Sequence, residues 1–170
     1  PYKRLDLAIA ACNATRRRLV IIGTGQDERR LRAMAGPTVH FLGWQPDAVI
    51  RDHLRRCQAL LFPGEEDFGI VPVEANACGT PVIAYEQGGA TESIVPPGQG
   101  AEPTGLWFAQ QTSECLADVL ATFEKKHSDF RPAAARRQAL RFNRQRFADE
   151  FFACIDRVLH PAPAPMRRAA

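Results

Sequence analysis

Short apolar runs alternate with amphipathic stretches through most of the chain. "RLVIIGTG", Arg18 to Gly25, reads as a buried strand running into a glycine turn, and "DERRLRAMAG" as a helix with Asp27 near its start and Gly36 at its end. "VHFLGW" is a short strand. "DAVIRDHLRRC" is a helix with Ala48, Val49, Leu54 and, less cleanly, Ile50 at helical spacing, and "ALLFPG" is a strand closed by Pro63-Gly64. "PVEANACG" follows as a short helix, with Pro72 suited to its first turn and Gly79 past its end. "TPVIAY" is a strand, "TESIV" a helical turn cut by Pro96-Pro97-Gly98, and "GLWFA" the last strand. From Thr112 the chain reads helical, with a break around Ser128 to Pro132. The Pro- and Ala-rich tail from His160 to Ala170 offers too few core residues to fold and is expected to be disordered.

Repeated strand–helix alternation with continuously apolar strands predicts an α/β fold, a Rossmann-like doubly wound parallel sheet with helices on both faces. Such sheets take ligands outside the carboxyl ends of their strands. Gly23 and Glu66 each follow a predicted strand and so belong to that end. The opening "PYKRLDLAIAAC" reads as a loop entering a helix with no strand before it, so the sheet is expected to lack its first strand, and an N-terminal domain with it. Residues 1–159 then form one domain, ahead of the tail at 160–170.

Composition narrows the function classes without choosing one. Of 170 residues, 45% are hydrophobic and 24% charged, ordinary for a globular chain with a full core. A net charge of +3 is too mild for a dedicated nucleic-acid binder, and no run of about 20 apolar residues suggests a membrane span. The cysteines, Cys12, Cys57, Cys78, Cys115 and Cys154, show no C-x-x-C spacing and read as reduced thiols of a cytoplasmic protein, most of them small core residues. None of His40, His53, His127 and His160 pairs with a neighbour at metal-ligand spacing.

Two glycine turns carry candidate chemistry. "GTGQDE" has G-x-G after a strand, but Glu28 stands where a dinucleotide fingerprint needs its third glycine, so the turn is either a plain strand-to-helix connection or one wall of a ligand cleft. No G-K-[ST] or G-x-S-x-G is present. In "FPGEEDFGIVPVEA" the N–H groups of Phe68, Gly69, Ile70 and Val71 are expected at a helix mouth, which suits a diphosphate. Glu65, Glu66 and Asp67 crowd the same turn, and Glu74 falls near the third helical position if Val71 is the cap. Acid around a helix start gains from the dipole or caps a free N–H. It also suits a ligand with phosphates in its middle and vicinal hydroxyls at both ends, because a carboxylate accepts from two donors. A nucleotide-sugar has that layout.

The block "EEDFGIVPVEANACGTPVIAYEQGGATESI" closely resembles the E-x7-E region of retaining glycosyltransferases of the two-domain B fold, family 4, with Glu66 and Glu74 as the pair. "PYKRLDLAIAA" resembles the basic motif of that family, Lys3 in the lysine position, and "LVIIGTGQDERRLRAMA" and "VHFLGW" align in type and order up to about Val158. "PGEEDFGIVPVEA" looks most like bacterial mannosyltransferases that use GDP-mannose to build surface polysaccharides. The resemblance implies that Glu66 holds donor-hexose hydroxyls, that the backbone at Phe68, Gly69 and Ile70 meets sugar and diphosphate with Val71 on the phosphate, and that Glu74 takes the ribose hydroxyls. Lys3 would neutralise charge growing on the leaving diphosphate, and Gly23 would line the nucleotide cleft. It further implies no metal or other cofactor, GDP-mannose in preference to UDP-sugars, front-face attack with retention, and work at the inner face of a bacterial membrane.

Departures accompany the match. The family's arginine, five residues before the lysine, falls ahead of Pro1, as does the acceptor-binding domain, so this chain by itself is expected to transfer little or no sugar. Trp44 is expected either to wall the base pocket or simply to pack, and Glu92 either to start a helix or to approach the donor. Arg136, Arg137, Arg141, Arg144 and Arg146 form either a solvated face or a contact with the other domain or anionic lipid. The competing classes are another B-fold sugar-nucleotide enzyme such as a synthase or epimerase, a nucleotide-binding oxidoreductase domain, and an interaction module that kept the fold without catalysis.

Overall fold

The computed structural model describes residues 1–99 and 102–160. The chain enters through a turn into α1 (Leu5–Thr15), then runs β1 (Leu19–Ile22), α2 (Glu28–Met34), β2 (Val39–Gly43), α3 (Asp47–Arg56) and β3 (Leu60–Phe62). It continues with α4 (Ile70–Ala77), β4 (Val82–Tyr85), α5 (Ala90–Ser93) and β5 (Gly105–Phe108), and closes with α6 (Ser113–Lys125), α7 (Pro132–Ala139) and α8 (Arg144–Leu159). Every strand pairing is parallel, but the strands fall into two sheets, β1-β2 and β3-β4-β5.

Helices cover the larger sheet on both faces, as a doubly wound fold requires. On β4, Ile83 points into a core with Ala8 and Cys12 of α1, Phe108 of β5 and Leu116 and Phe123 of α6. Val82 and Ala84, one residue either side, point the other way, toward Leu54 of α3, Phe62 of β3 and Ala75 of α4. Alternation on a strand buried on both faces is what a continuous apolar run such as "PVIAY" encodes. The small sheet has one such core, with Ile9, Ile21, Leu31 and Val39. Of β1 only Ile21 is buried, while Leu19, Val20 and Ile22 are half-buried. The expectation of a fully buried strand is therefore corrected, because the far edge and part of one face of β1 border an open slot instead of a neighbouring strand.

Three other expectations change. The helix expected from Pro72 begins at Ile70, with Gly69 as its N-cap at φ 79. The helical C-terminal region breaks twice, at His127–Asp129 as foreseen and again at Leu140–Phe142, after which the Asn143 Oδ1 accepts from the N–H of Arg146 at 3.0 Å and caps α8. Of the free cysteines, Cys57 and Cys154 are exposed and only Cys12 is fully buried. His160 follows α8 as its C-cap, and the remainder of the tail expected to be disordered, 161–170, lies outside the described residues. Among the described residues no helix is long and apolar enough to cross a membrane.

Candidate functional site

The carboxyl end of β3 leads through Pro63 and Gly64 into the acidic turn and then α4. Gly64 lies against the chain entrance: a Cβ there would stand 2.8 Å from both the Cα of Lys3 and the carbonyl oxygen of Tyr2. Only a residue without a side chain lets the two loops meet so closely. Arg4 secures the contact. It sits in the left-handed region at φ 49, ψ 40, as the N-cap of α1, and its guanidinium donates to both oxygens of Asp6 at 3.2 Å and to Gln111 Oε1 at 2.9 Å. Gln111 Nε2 in turn donates to the carbonyl of Pro63 at 3.0 Å. A bulky residue with positive φ is held there because the surroundings over-determine it.

This clamp brings Lys3 to Glu66. Lys3 Nζ donates to Glu66 Oε1 at 2.6 Å, with the lysine side chain 52% exposed and the glutamate 20%. Burial pulls the Lys3 ammonium down, but the hydrogen bond and charge of Glu66, helped by Tyr2, outweigh it and hold its pKa above the ordinary lysine value. The Tyr2 ring lies 5.1 Å from the ammonium. An ion pair this exposed contributes about 0–1 kcal/mol, so a stronger anion could draw Lys3 away from it at little cost.

The acidic turn is seated on "GG". The N–H of Gly89 donates to the carbonyl of Glu66 at 2.8 Å. A Cβ on Gly88 would stand 2.5 Å from that same oxygen, and one on Gly89 would overlap the carbonyl oxygen of Asp67 and the Cα of Phe68. Past the turn, Gly69 adopts its positive φ where a Cβ would be 3.0 Å from the Phe62 ring, and α4 starts with no side-chain cap. Ile70 and Val71 occupy its first two positions, and Pro72 at the third has no N–H to leave unsatisfied. The mouth of α4 thus presents backbone donors beside a lysine, with exposed Phe68, Ile70 and Val71 around it. Phe68 leans on Phe142, ring centroids 5.6 Å apart.

Glu74 sits one turn into the helix, at the fifth position and not the third, exposed and beside Val71 on the rim of the slot between the sheets. From there it cannot serve as the capping-box residue of α4. Glu66 and Lys3 stand on the same rim, and Glu66 also lines a second recess of about 410 Å³ with Tyr2, Arg4, Glu65, Asp67 and Gln111. The two carboxylates therefore differ in their surroundings: Glu66 lines both recesses and holds the lysine, whereas Glu74 lines the slot alone.

Other expected residues lie elsewhere. Gly23 stands at the carboxyl end of β1 at φ 118, its N–H donating to Gly43 at 2.8 Å, and lines neither recess. Trp44 is 74% exposed, so simple packing is not its role in this domain. Glu92 is exposed in the first turn of α5. Among the arginines, Arg136 donates to the carbonyl of Cys78, Arg137 pairs with Glu102, Arg141 bonds Gln138 and Arg146 pairs with Glu150, which fits a solvated face. Sequence reasoning did not find Arg4 and Gln111. The available signal was that Arg4 immediately follows the lysine; nothing in the local pattern marks Gln111, whose partners are 107 and 48 residues away.

A family model described as "Glycosyl transferases group 1" matches residues 1–141. A GDP-mannose-dependent alpha-(1-6)-phosphatidylinositol dimannoside mannosyltransferase of Mycobacterium tuberculosis is 31% identical over 157 residues, covering 90% of this chain and 39% of that protein. Sucrose-phosphate synthase of Thermosynechococcus elongatus superposes with a TM-score of 0.80 at 23% identity, over 95% of this chain and 43% of that one. HepE of Anabaena, solved with UDP-glucose, superposes with a TM-score of 0.71 at 24% identity, over 90% of this chain and 46% of that one. The chain thus spans less than half the length of these relatives, and its fold matches their C-terminal Rossmann-like domains.

Proposed function

The chain belongs to the glycosyl transferases group 1 family, and from that premise we propose that it is the donor-binding domain of a retaining hexosyltransferase that moves mannose from GDP-mannose to a glycan or lipid-linked acceptor. The observation that carries the reading is the mouth of α4: backbone donors at Ile70 and Val71, with the Lys3–Glu66 pair and Glu74 all lining the slot beside it. A diphosphate at that mouth gains hydrogen bonds from the N–H groups and charge from Lys3. Glu66 then faces hydroxyls of the hexose, Glu74 those of the ribose, and Gly23, with Trp44, belongs to the nucleotide end. Transfer needs the acceptor-binding domain as well; during it Lys3 offsets the charge that grows on the departing diphosphate, and attack from the front face retains configuration. The mycobacterial relative's name supports GDP-mannose and a lipid-borne acceptor, hence work at the cytoplasmic membrane surface. The UDP-glucose complex of HepE supports the alternative, a UDP-sugar donor.

Calorimetric titration tests this with GDP against GDP-mannose, and UDP against UDP-glucose as the second set. Glu74→Gln should weaken nucleoside diphosphate and donor alike, by about tenfold or more for a lost charge-assisted hydrogen bond of about 1.5–3 kcal/mol. Glu66→Gln should weaken only the sugar-bearing donor, and free GDP should bind equally or slightly better once Lys3 is released. Equal loss of free nucleotide in both variants overturns the assignment of Glu66 to the sugar. A chain that binds no nucleotide of either set overturns the donor reading.

A further inference from the structure

The start of α4 has little of its own to fix it. Gly69, the N-cap, has no side chain to accept from a first-turn N–H, and its backbone sits at φ 79. A hydrophobic side chain just before the cap commonly fixes the angle at which the chain enters a helix, by packing on a residue one turn into that helix. Phe68 holds that position, but the ring it meets is Phe142, from the far end of the chain, at a centroid distance of 5.6 Å and an interplanar angle of 59°. A tilted pair at that distance is a favourable aromatic geometry.

Phe142 stands on a fixed support. α7 packs along α4 with small residues, Ala134, Ala135 and Ala139, buried. At the carboxyl end of α4, Arg136 donates to the carbonyl of Cys78 at 3.2 Å, and a Cβ on Gly79 would stand 2.9 Å from the Cβ of Pro132. Gln138 Nε2 donates to the carbonyl of Ser93 at 3.1 Å and so ties α7 to α5 as well. The turn Leu140–Phe142 then closes on Asn143, whose Nδ2 donates to the carbonyl of Leu140 at 2.7 Å while its Oδ1 caps α8. The segment from Pro132 to Phe142 is therefore a splint: anchored at the carboxyl end of α4, it braces the amino end through one ring.

We propose that Phe142 is a positioning residue for the mouth of α4, holding the Phe68 ring and through it the backbone from Phe68 to Val71 in the arrangement that receives a diphosphate. It acts through Phe68. Loss of such a pair shifts a local equilibrium by about two- to tenfold. Without it the entry to α4 samples other angles, and the N–H groups of Ile70 and Val71 are aimed together for less of the time. The effect on affinity rests on the donor reading above; the effect on the order of the helix start does not.

Backbone amide relaxation and calorimetric titration with GDP test it on the whole chain, with Phe142→Ala, Phe142→Tyr, Phe68→Ala and the double alanine variant. Phe68→Ala removes the same pair from an exposed position, where folding is not at stake. In Phe142→Ala the order parameters of Phe68 to Val71 should fall from the rigid value of about 0.85 toward about 0.6, while those of Val82 to Tyr85 stay rigid. GDP affinity should fall by about two- to tenfold. Phe142→Tyr keeps the ring and should restore both. Phe68→Ala should lower affinity by the same factor, and adding Phe142→Ala to it should cost nothing more. A Phe142→Ala chain that melts earlier but keeps its order parameters has lost packing alone, which overturns the proposal. So does a tyrosine variant that behaves like the alanine one, or a further loss in the double variant. A parent chain that binds no GDP overturns the donor reading alone, and the order parameters still decide whether Phe142 holds the helix start.

Discussion

Ile83 of β4 and Ile21 of β1 are both interior residues of four-residue parallel strands, yet their neighbours differ. Val82 and Ala84, flanking Ile83, are fully buried, whereas Val20 and Ile22, flanking Ile21, are half-exposed to the slot. The glycine turns that follow the two strands differ in the same sense. A Cβ at Gly25, after β1, meets nothing within 4 Å, whereas one at Gly89, after β4, runs into the backbone of the acidic turn. One half of the domain is close-packed with the candidate site clamped onto it; the other has its strands in place with one side unfilled. Local residue types look alike in the two halves, so the difference comes from what stands beside them.

The largest effect should come from the sheet cores. Ile83→Ala removes a side chain with no exposure from a core that α1 and α6 close over, and should lose about 2–5 kcal/mol. Val20→Ala, at a half-buried position beside the slot, should lose about 1 kcal/mol or less. Urea unfolding of both variants measures the contrast, and equal losses would erase it.

The glycine turns should differ next. Gly89→Ala forces the acidic turn off its seat, costing about 1–3 kcal/mol, and should weaken nucleoside diphosphate binding as the mouth of α4 shifts. Gly25→Ala, with open space around it and no left-handed backbone, should leave stability unchanged or raise it by about 0.4–1 kcal/mol. Thermal melts with and without GDP separate the two. A Gly89→Ala protein that binds and melts like the parent would show that the turn does not depend on that contact.

The smallest effect concerns an ion pair between the halves near the amino end of β1. Arg17 donates to both oxygens of Glu124 on α6, at 2.6 and 2.7 Å. The Arg17 hydrogen bond, against a smaller opposing effect of burial, holds the Glu124 pKa below its ordinary value. A carboxylate with a depressed folded-state pKa adds stability above its unfolded pKa and loses it as pH falls through the folded value. The parent should therefore exceed Glu124→Gln by at most about 1 kcal/mol at neutral pH. That margin should vanish on acidification below the ordinary glutamate range. A margin that stays constant from pH 7 to strong acid, on the order of pH 3, would show that the pair is not its source.

Much of this was legible along the chain. Strand and helix types followed from apolar runs and helical spacing, and "EEDFGIVPVEA" marked the candidate site through a spacing that ordinary helix caps do not need. The start of α4 was misplaced for a physical reason. Proline is tolerated anywhere in a first turn, since none of those N–H groups has a helical acceptor, so Pro72 alone does not say which position it holds. Gly69 settles it through its positive φ against the Phe62 ring, a contact between β3 and the helix mouth. The Lys3–Glu66 pair spans 63 residues, and no local pattern encodes it.

By itself, the sequence determined the parallel α/β class, the element order and the identity of the residues at the helix mouth, because backbone propensity and burial period act within a dozen residues. Only the tertiary structure decided that Lys3 meets Glu66, that Glu74 stands beyond the reach of a cap, and that the strands divide into two sheets around a slot. Those outcomes depend on which distant segments come to lie side by side. In the Arg4–Gln111–Pro63 chain of hydrogen bonds, that choice rests on contacts between residues whose order along the chain carries no trace of their distance in space.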